Sequence, residues 1–153
     1  MSRSAIATGP LDVAELVAEV AAPSHGAVCT FVGAVRDHSD GRNVVGLEYS
    51  AYTEMATREM DAILREAEAL QKGVEIVAVH RIGALRVGDV CVVIAAAHAH
   101  RDAAFVGCRY VIEEIKKRVP IWKREIYADG THEWVNACAT AGDEIGSSTS
   151  ASQ

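Results

Sequence analysis

The stretch VCVVIAAAHAHRDAAFVGCRYVIEEIKKRVPIWKREIY, Val90–Tyr127, decides the fold. Its first eight residues, Val90 to Ala97, are apolar without a break, which reads as a strand buried on both faces. From Ala103 to Ile115 the apolar positions Ala104, Phe105, Cys108, Ile112 and Ile115 return at helical spacing, so an amphipathic helix follows the strand. Pro120 must stop that helix, because it has no backbone N–H and its ring disfavours helix in the residue before it. Ile121–Tyr127 then reads as a strand. It pairs with His132–Asn136 across the Asp129-Gly130 turn.

Upstream, the apolar spacing of Leu11 to Val20 predicts a first helix, with Asp12 and Glu15 placed as in a capping arrangement. Ala27–Val35 is a core strand that delivers Arg36 at its exit. The polar segment Arg36 to Asn43 reads as a mobile loop, and Val44–Tyr52 as a second strand, either in a hairpin with the first or adjacent to it. Thr53–Leu70 has apolar residues at three- and four-residue intervals and predicts a long helix, closed by Gly73. Val74–Ile82 is a further strand, and Gly83 to Gly88 a turn region. Tyr49, Tyr52 and Met55 are expected to pack. The irregular alternation predicts an α+β fold of helices on a mainly antiparallel sheet. One domain is expected over residues 1–137, and the small, polar residues 138–153 are expected to form a disordered tail.

Composition narrows the function. The formal charge of −6 argues against a general nucleic-acid binder, which needs a broad face of Lys and Arg. No apolar run is long enough for a membrane span and the N-terminal stretch is too short for a secretory signal, so the expected location is cytoplasmic. Cys29, Cys91, Cys108 and Cys138 lie far apart, with no C-x-x-C pair; Cys29, Cys91 and Cys108 fall in apolar segments and are expected as buried free thiols.

The cations are more informative. His100 and Arg101 stand where the helix begins, so unpaired amide groups and the positive end of the helix dipole point with them, a combination that binds phosphate. Position alone does not separate this from a surface cap in which Asp102 neutralises Arg101. His98 and His100 share a strand face, but no third ligand stands at useful spacing and no metal is expected. Lys116 lies four residues after Ile112, beside the apolar stripe, where partial desolvation would suit it to proton transfer. Lys123 and Trp122 point to opposite faces of their strand. Arg36 is a further candidate phosphate ligand, whereas His80-Arg81 reads as structural. Arg101 and Lys116 are fifteen residues apart on one helix, about 22 Å. One small ligand reaches both only if two chains contribute, as in an isologous dimer.

Six segments taken together carry a family resemblance: FVGAVR (Phe31–Arg36), LEYSAYTEMA (Leu47–Ala56), HRIGALRVGD (His80–Asp89), AHRDAAF (Ala99–Phe105), KKRVPIWKRE (Lys116–Glu125) and DGTHEWV (Asp129–Val135). Over about Gly26 to Val135 the chain resembles the large, catalytic subunit of molybdopterin synthase. The resemblance implies a fold of α/β hammerhead type and an enzyme that converts cyclic pyranopterin monophosphate to molybdopterin. The two sulfurs would come from the thiocarboxylated C-terminus of a small ubiquitin-like subunit. It also implies a homodimer at the core of a heterotetramer, and no cofactor. By position Lys116 looks like the catalytic lysine and Lys123 its companion; Arg36, His100 and Arg101 look like substrate-binding groups, the last two supplied across the dimer. Where members can carry an arginine after the Trp-Val pair, this chain has Asn136, Ala137 and Cys138. The alternative reading is a non-catalytic docking module for the sulfur carrier, and a third is a persulfide sulfurtransferase using its own thiol.

Overall fold

A computed structural model describes residues 2–136. Nine strands and three helices are described: β1 (Arg3–Ala7), α1 (Val13–Val20), β2 (Ala27–Ala34), β3 (His38–Ser39), β4 (Arg42–Ala51), α2 (Thr53–Leu70), β5 (Glu75–Arg81), β6 (Gly83–Arg86), β7 (Val90–His98), α3 (Arg101–Arg118), β8 (Ile121–Tyr127) and β9 (His132–Asn136). The expected tail and Cys138 lie outside the described residues.

The strands form two sheets rather than the single one expected. The first has the order β1-β5-β7-β2, and only its β1–β5 pair is parallel. The second runs β3-β4-β8-β9, with β6 also paired to β4. Strand β7 is interior to the first sheet and explains its own sequence. Val93, Ala95 and Ala97 face α1, where they meet Leu16 and Val20. Val92, Ile94 and Ala96 face α2 and α3 and meet Met60, Ile63, Cys108, Val111 and Ile115. Both faces are dry, so no alternation survives. Leu47, Tyr49, Leu85 and Ile121 of the second sheet join the larger of these cores and bind the two sheets into one body.

Local chemistry sets the boundaries. Asp12 caps α1, its side chain accepting from the Glu15 N–H at 3.1 Å, which removes one of the unpaired donors of the first turn. Gly107 lets α3 come close to the start of β5, since a Cβ there would stand 3.2 Å from a methyl of Val74, the residue before the strand, and 3.6 Å from Ile76. At the C-terminal end of α3, Val119 is already extended (φ −76°, ψ 126°), the conformation Pro120 imposes on its predecessor. Arg118 bonds Glu59 at 2.8 Å and Glu66 at 2.6 and 2.9 Å, tying α3 to α2. Its guanidinium and the Tyr110 hydroxyl hold the Glu66 carboxyl down at about 2.

Several expectations need correction. The polar start of the chain is strand β1, short and paired at the edge. The segment expected as a mobile loop is a β-hairpin: Asp40 and Gly41 both have positive φ (49° and 75°), the geometry of a two-residue turn whose twist matches its strands. The turn region Gly83 to Gly88 contains β6. Strands β2 and β4 are neither a hairpin nor neighbours but belong to different sheets. Phe105, placed on the buried stripe of α3, is 60% exposed, because Ala103, Gly107 and Val111 occupy the buried face instead. Tyr49 is buried as expected, but Tyr52 and Met55 are exposed. Among the described residues no helix is long and apolar enough to cross a membrane.

Candidate functional site

A pocket of about 240 Å³ opens between the two sheets. Strand β2 supplies one wall through Phe31 and Gly33, β7 supplies Cys91 and Val92, and the second sheet supplies Val44, Leu47 and Tyr49. Arg36, Lys116, Lys123 and Glu125 are its charged groups, three cations against one carboxylate. The floor is apolar, so charges placed here interact through a poorer dielectric than water.

Each cation arrives by a different route. Strand β2 ends in a bulge at Gly33/Ala34, where it slips register against β7. The next residue is pinned to the β6–β7 turn: the Val35 N–H donates to the Asp89 carbonyl at 3.0 Å, and the Gly88 N–H donates to the Val35 carbonyl at 2.9 Å. Arg36 therefore leaves a fixed anchor and points its exposed side chain at the mouth. Lys116 is half-buried in the last turns of α3. Pro120 turns the chain back from there into β8, whose alternation points Ile121, Lys123 and Glu125 inward and Trp122 and Arg124 outward. Thus residues seven apart in sequence share one cavity.

Sequence reasoning did not single out Glu125. It is 5% exposed, accepts from the Tyr127 hydroxyl at 2.9 Å and pairs with the Lys123 ammonium at 3.3 Å. The signal was present, since Lys123 and Glu125 are two apart on a strand and must share a face. In return, the carboxylate and the buried position push the Tyr127 hydroxyl up to about 12, burial being the larger cause. His38 and Ser39 of the β3–β4 hairpin also line the pocket, so the hairpin forms part of its rim.

Behind the pocket sits His80, 2% exposed, its ring edge-on to Tyr49 at 4.9 Å. Its Nδ1 donates to the Arg81 carbonyl at 2.8 Å. Burial pushes the imidazole down to about 4, and the positive charge of Lys116 adds to this against the opposing pull of the Arg81 carbonyl. Burial also raises the Tyr49 hydroxyl well above its usual value, with a further contribution from Cys91. Tyr49 and His80 therefore stay neutral near pH 7.

His100 and Arg101 are elsewhere. His100 occupies the N-cap position of α3 and Arg101 its first turn, both exposed, at the opposite end of the helix from Lys116. Among the described residues Arg101 forms no ion pair with Asp102. Phe105 and Val106 stand exposed one turn further on. Within one chain, then, the fold gathers Arg36, Lys116 and Lys123 and leaves His100 and Arg101 a helix-length away. His98 is bonded through both ring nitrogens, to Lys72 and His100, and is not disposed as a metal ligand. Among the described residues no three His, Cys, Asp or Glu side chains gather to hold a metal ion. Cys91 and Cys108 are buried and Cys29 half-buried, all three as free thiols.

Comparison with known proteins agrees with this architecture. The chain is 46% identical over 123 residues to the "Molybdopterin synthase catalytic subunit" of Oryza sativa subsp. indica, covering 80% of this chain and 64% of that protein. It therefore spans just under two thirds of the rice protein's length. It is 44% identical over 126 residues to the "Molybdopterin synthase catalytic subunit 1" of Mycobacterium tuberculosis, covering 82% of this chain and 85% of the relative. The crystal structure of molybdopterin synthase from Staphylococcus aureus superimposes with a TM-score of 0.84 at 35% identity, over 89% of this chain and 98% of that one. A complex of subunits 1 and 2 of the molybdopterin-converting factor from Helicobacter pylori gives a TM-score of 0.71 at 28% identity, over 88% of this chain and 89% of that one. The profile of the family described as "MoaE protein" matches residues 6–118, from the end of β1 to the last residue of α3. With residues 6–118, most of its length, in register with that family, the chain belongs to the MoaE protein family.

Proposed function

We propose that this chain is the catalytic subunit of a molybdopterin synthase, converting cyclic pyranopterin monophosphate to molybdopterin with sulfur from the thiocarboxylated C-terminus of a small ubiquitin-like partner. The observation that carries the reading is the convergence of Arg36, Lys116 and Lys123 on one partly apolar cavity. A phosphorylated pterin needs cations for its charge and an apolar wall for its ring, and the cavity offers both. In this reading the thiocarboxylate sulfur bonds to a side-chain carbon of the pterin as that carbon's bond to oxygen breaks, Lys116 supplies the proton to the departing oxygen, and Lys123 orients the anionic groups. Water then cleaves the resulting thioester, leaving the sulfur on the pterin and freeing the partner tail as a carboxylate. Glu125 keeps Lys123 paired and in place.

His100 and Arg101 enter from a second copy of the chain. Fifteen residues of helix, about 22 Å, separate Arg101 from Lys116, so only a dimer can bring both to one ligand. The assembly is a homodimer with a small subunit on each copy, as supported by the two-subunit complex of the related Helicobacter pylori factor. A cytoplasmic location goes with this reading, and the three free thiols suit a reducing compartment.

The test is product formation by the complex with pre-thiocarboxylated partner. Lys116→Ala is expected to abolish it while gel filtration still shows the complex; retained turnover would remove Lys116 from the mechanism. A docking module would bind the partner and give no heat with the pterin in calorimetry. Replacing Cys29, Cys91, Cys108 and Cys138 together leaves activity in place, because the sulfur comes from the partner.

A further inference from the structure

His98 plays no part in the chemistry above, yet its ring is held at both nitrogens. Nε2 lies 3.0 Å from the Lys72 carbonyl oxygen, and Nδ1 lies 3.0 Å from the His100 backbone N. A carbonyl only accepts, so Nε2 carries the proton; an amide only donates, so Nδ1 presents its lone pair. The two bonds select one neutral tautomer and need both ends of the imidazole.

What this ring joins is informative. Lys72 belongs to the turn between α2 and β5, followed by Gly73 at φ 91°, whose Cα faces the His98 ring closely enough that a Cβ would stand 3.6 Å from Nε2. His100 is the N-cap residue of α3, and no side-chain hydrogen bond caps that helix. The first helical bond there is long, the Ala104 N–H reaching the His100 carbonyl at 3.4 Å. The N-terminal turn is thus weakly fixed by its own backbone. The His98 ring adds a side-chain bond that ties the His100 backbone to the body of the protein through Lys72.

We propose that His98 is the positioning residue for the anion-binding end of α3: by bridging the Lys72 carbonyl and the His100 amide it fixes the direction in which His100 and Arg101 are presented to the phosphate-bearing ligand. This rests on the reading that these two side chains reach substrate. The bridge is fully made before any ligand arrives, so it lowers the ordering cost of binding and leaves the chemical step alone.

The experiment uses the complex with thiocarboxylated partner and cyclic pyranopterin monophosphate, comparing His98→Ala, His98→Asn, His98→Gln and Arg101→Ala. His98→Ala is expected to raise KM for the pterin roughly fivefold, the weight of one net hydrogen bond, with kcat unchanged. The Asn side chain places an acceptor near the Nδ1 position and restores KM; Gln, whose polar end reaches only toward Lys72, does not. Hydrogen exchange of the His100 amide supplies a readout independent of turnover: protected in the wild type and the Asn variant, fast in the Ala variant. If Arg101→Ala raises KM while His98→Ala leaves both KM and the His100 amide untouched, the positioning role is wrong and the functional reading survives. If Arg101→Ala leaves KM unchanged, the assignment of these cations to substrate fails, and the positioning role with it. An Ala variant that loses kcat and thermal stability together, with no rescue by Asn, would show His98 to be a purely structural residue and overturn the proposal.

Discussion

Lowering the pH from 7 to 5 should cost this protein about 2 kcal/mol of stability through His80 alone. The ring is buried and its pKa is pushed down from an ordinary 6.5 to about 4 in the folded state. Between those two values the unfolded chain takes up a proton that the folded one refuses. Stability therefore falls as the pH falls through that window and is unaffected above it. At about 1.36 kcal/mol per pH unit the whole window is worth about 3 kcal/mol, and the part above pH 5 about 2. The assay is urea unfolding followed by far-UV circular dichroism at both pH values and one protein concentration. The control is His80→Asn, whose amide can still donate to the Arg81 carbonyl but does not titrate. Asn leaves space and lowers the baseline, so the quantity compared is each protein's own difference between the two pH values. The wild type should lose about 2 kcal/mol more than the variant. Equal losses would mean that His80 is not held neutral by its surroundings and that the floor of the pocket is wetter than described.

Three further outcomes follow from the geometry. Mixing Lys116→Ala copies, inactive alone, with Arg101→Ala copies, assayed at a pterin concentration well below their raised KM, should recover about a quarter of wild-type activity, because half the dimers are hybrids with one intact site of two; no recovery would mean that Arg101 does not act across the dimer. Arg118→Met should cost about 1–2 kcal/mol, modest because its carboxylate partners are partly open to solvent. It should also release Glu66 from about 2 toward the ordinary carboxylate range, visible as an NMR carboxyl titration. The stabilisation from Glu66, present above its ordinary pKa, is lost as the pH falls toward 2 in the wild type and is reduced in the variant to the part that the Tyr110 hydroxyl supplies. Gly33→Ala puts a Cβ 2.6 Å from a Val92 methyl and should lower stability by about 1–3 kcal/mol in a thermal melt; an unchanged midpoint would mean the β2 bulge moves freely.

The helices and central strands were legible because their periodicity comes from burial, and burial here is strong. Thr53–Leu70 matches α2 at both ends, and the unbroken apolar run of β7 gave away a strand covered on both faces. What stayed hidden depends on partners distant in sequence. Strand β1 is recognisable only through β5, seventy-odd residues later, and β6 only through β4. The assignment of β2 and β4 to separate sheets left no mark on either strand. For the site, the residue types and the lysine spacing across Pro120 were readable in one dimension. Glu125 was not singled out because a carboxylate beside Lys123 and Arg124 looks like surface charge until the strand's inward face is known.

That inward face makes strand parity the selector of the pocket's chemistry. Lys123 and Arg124 are adjacent cations, and only the pleat decides which of them enters the cavity and which lies outside against Glu48 and the Trp134 ring. Losing one codon between Pro120 and Lys123 would exchange them, offering the cavity a bulkier guanidinium and turning Glu125 out into solvent. The sequence can therefore tolerate substitution on the outer side of β8 far better than any change in its length.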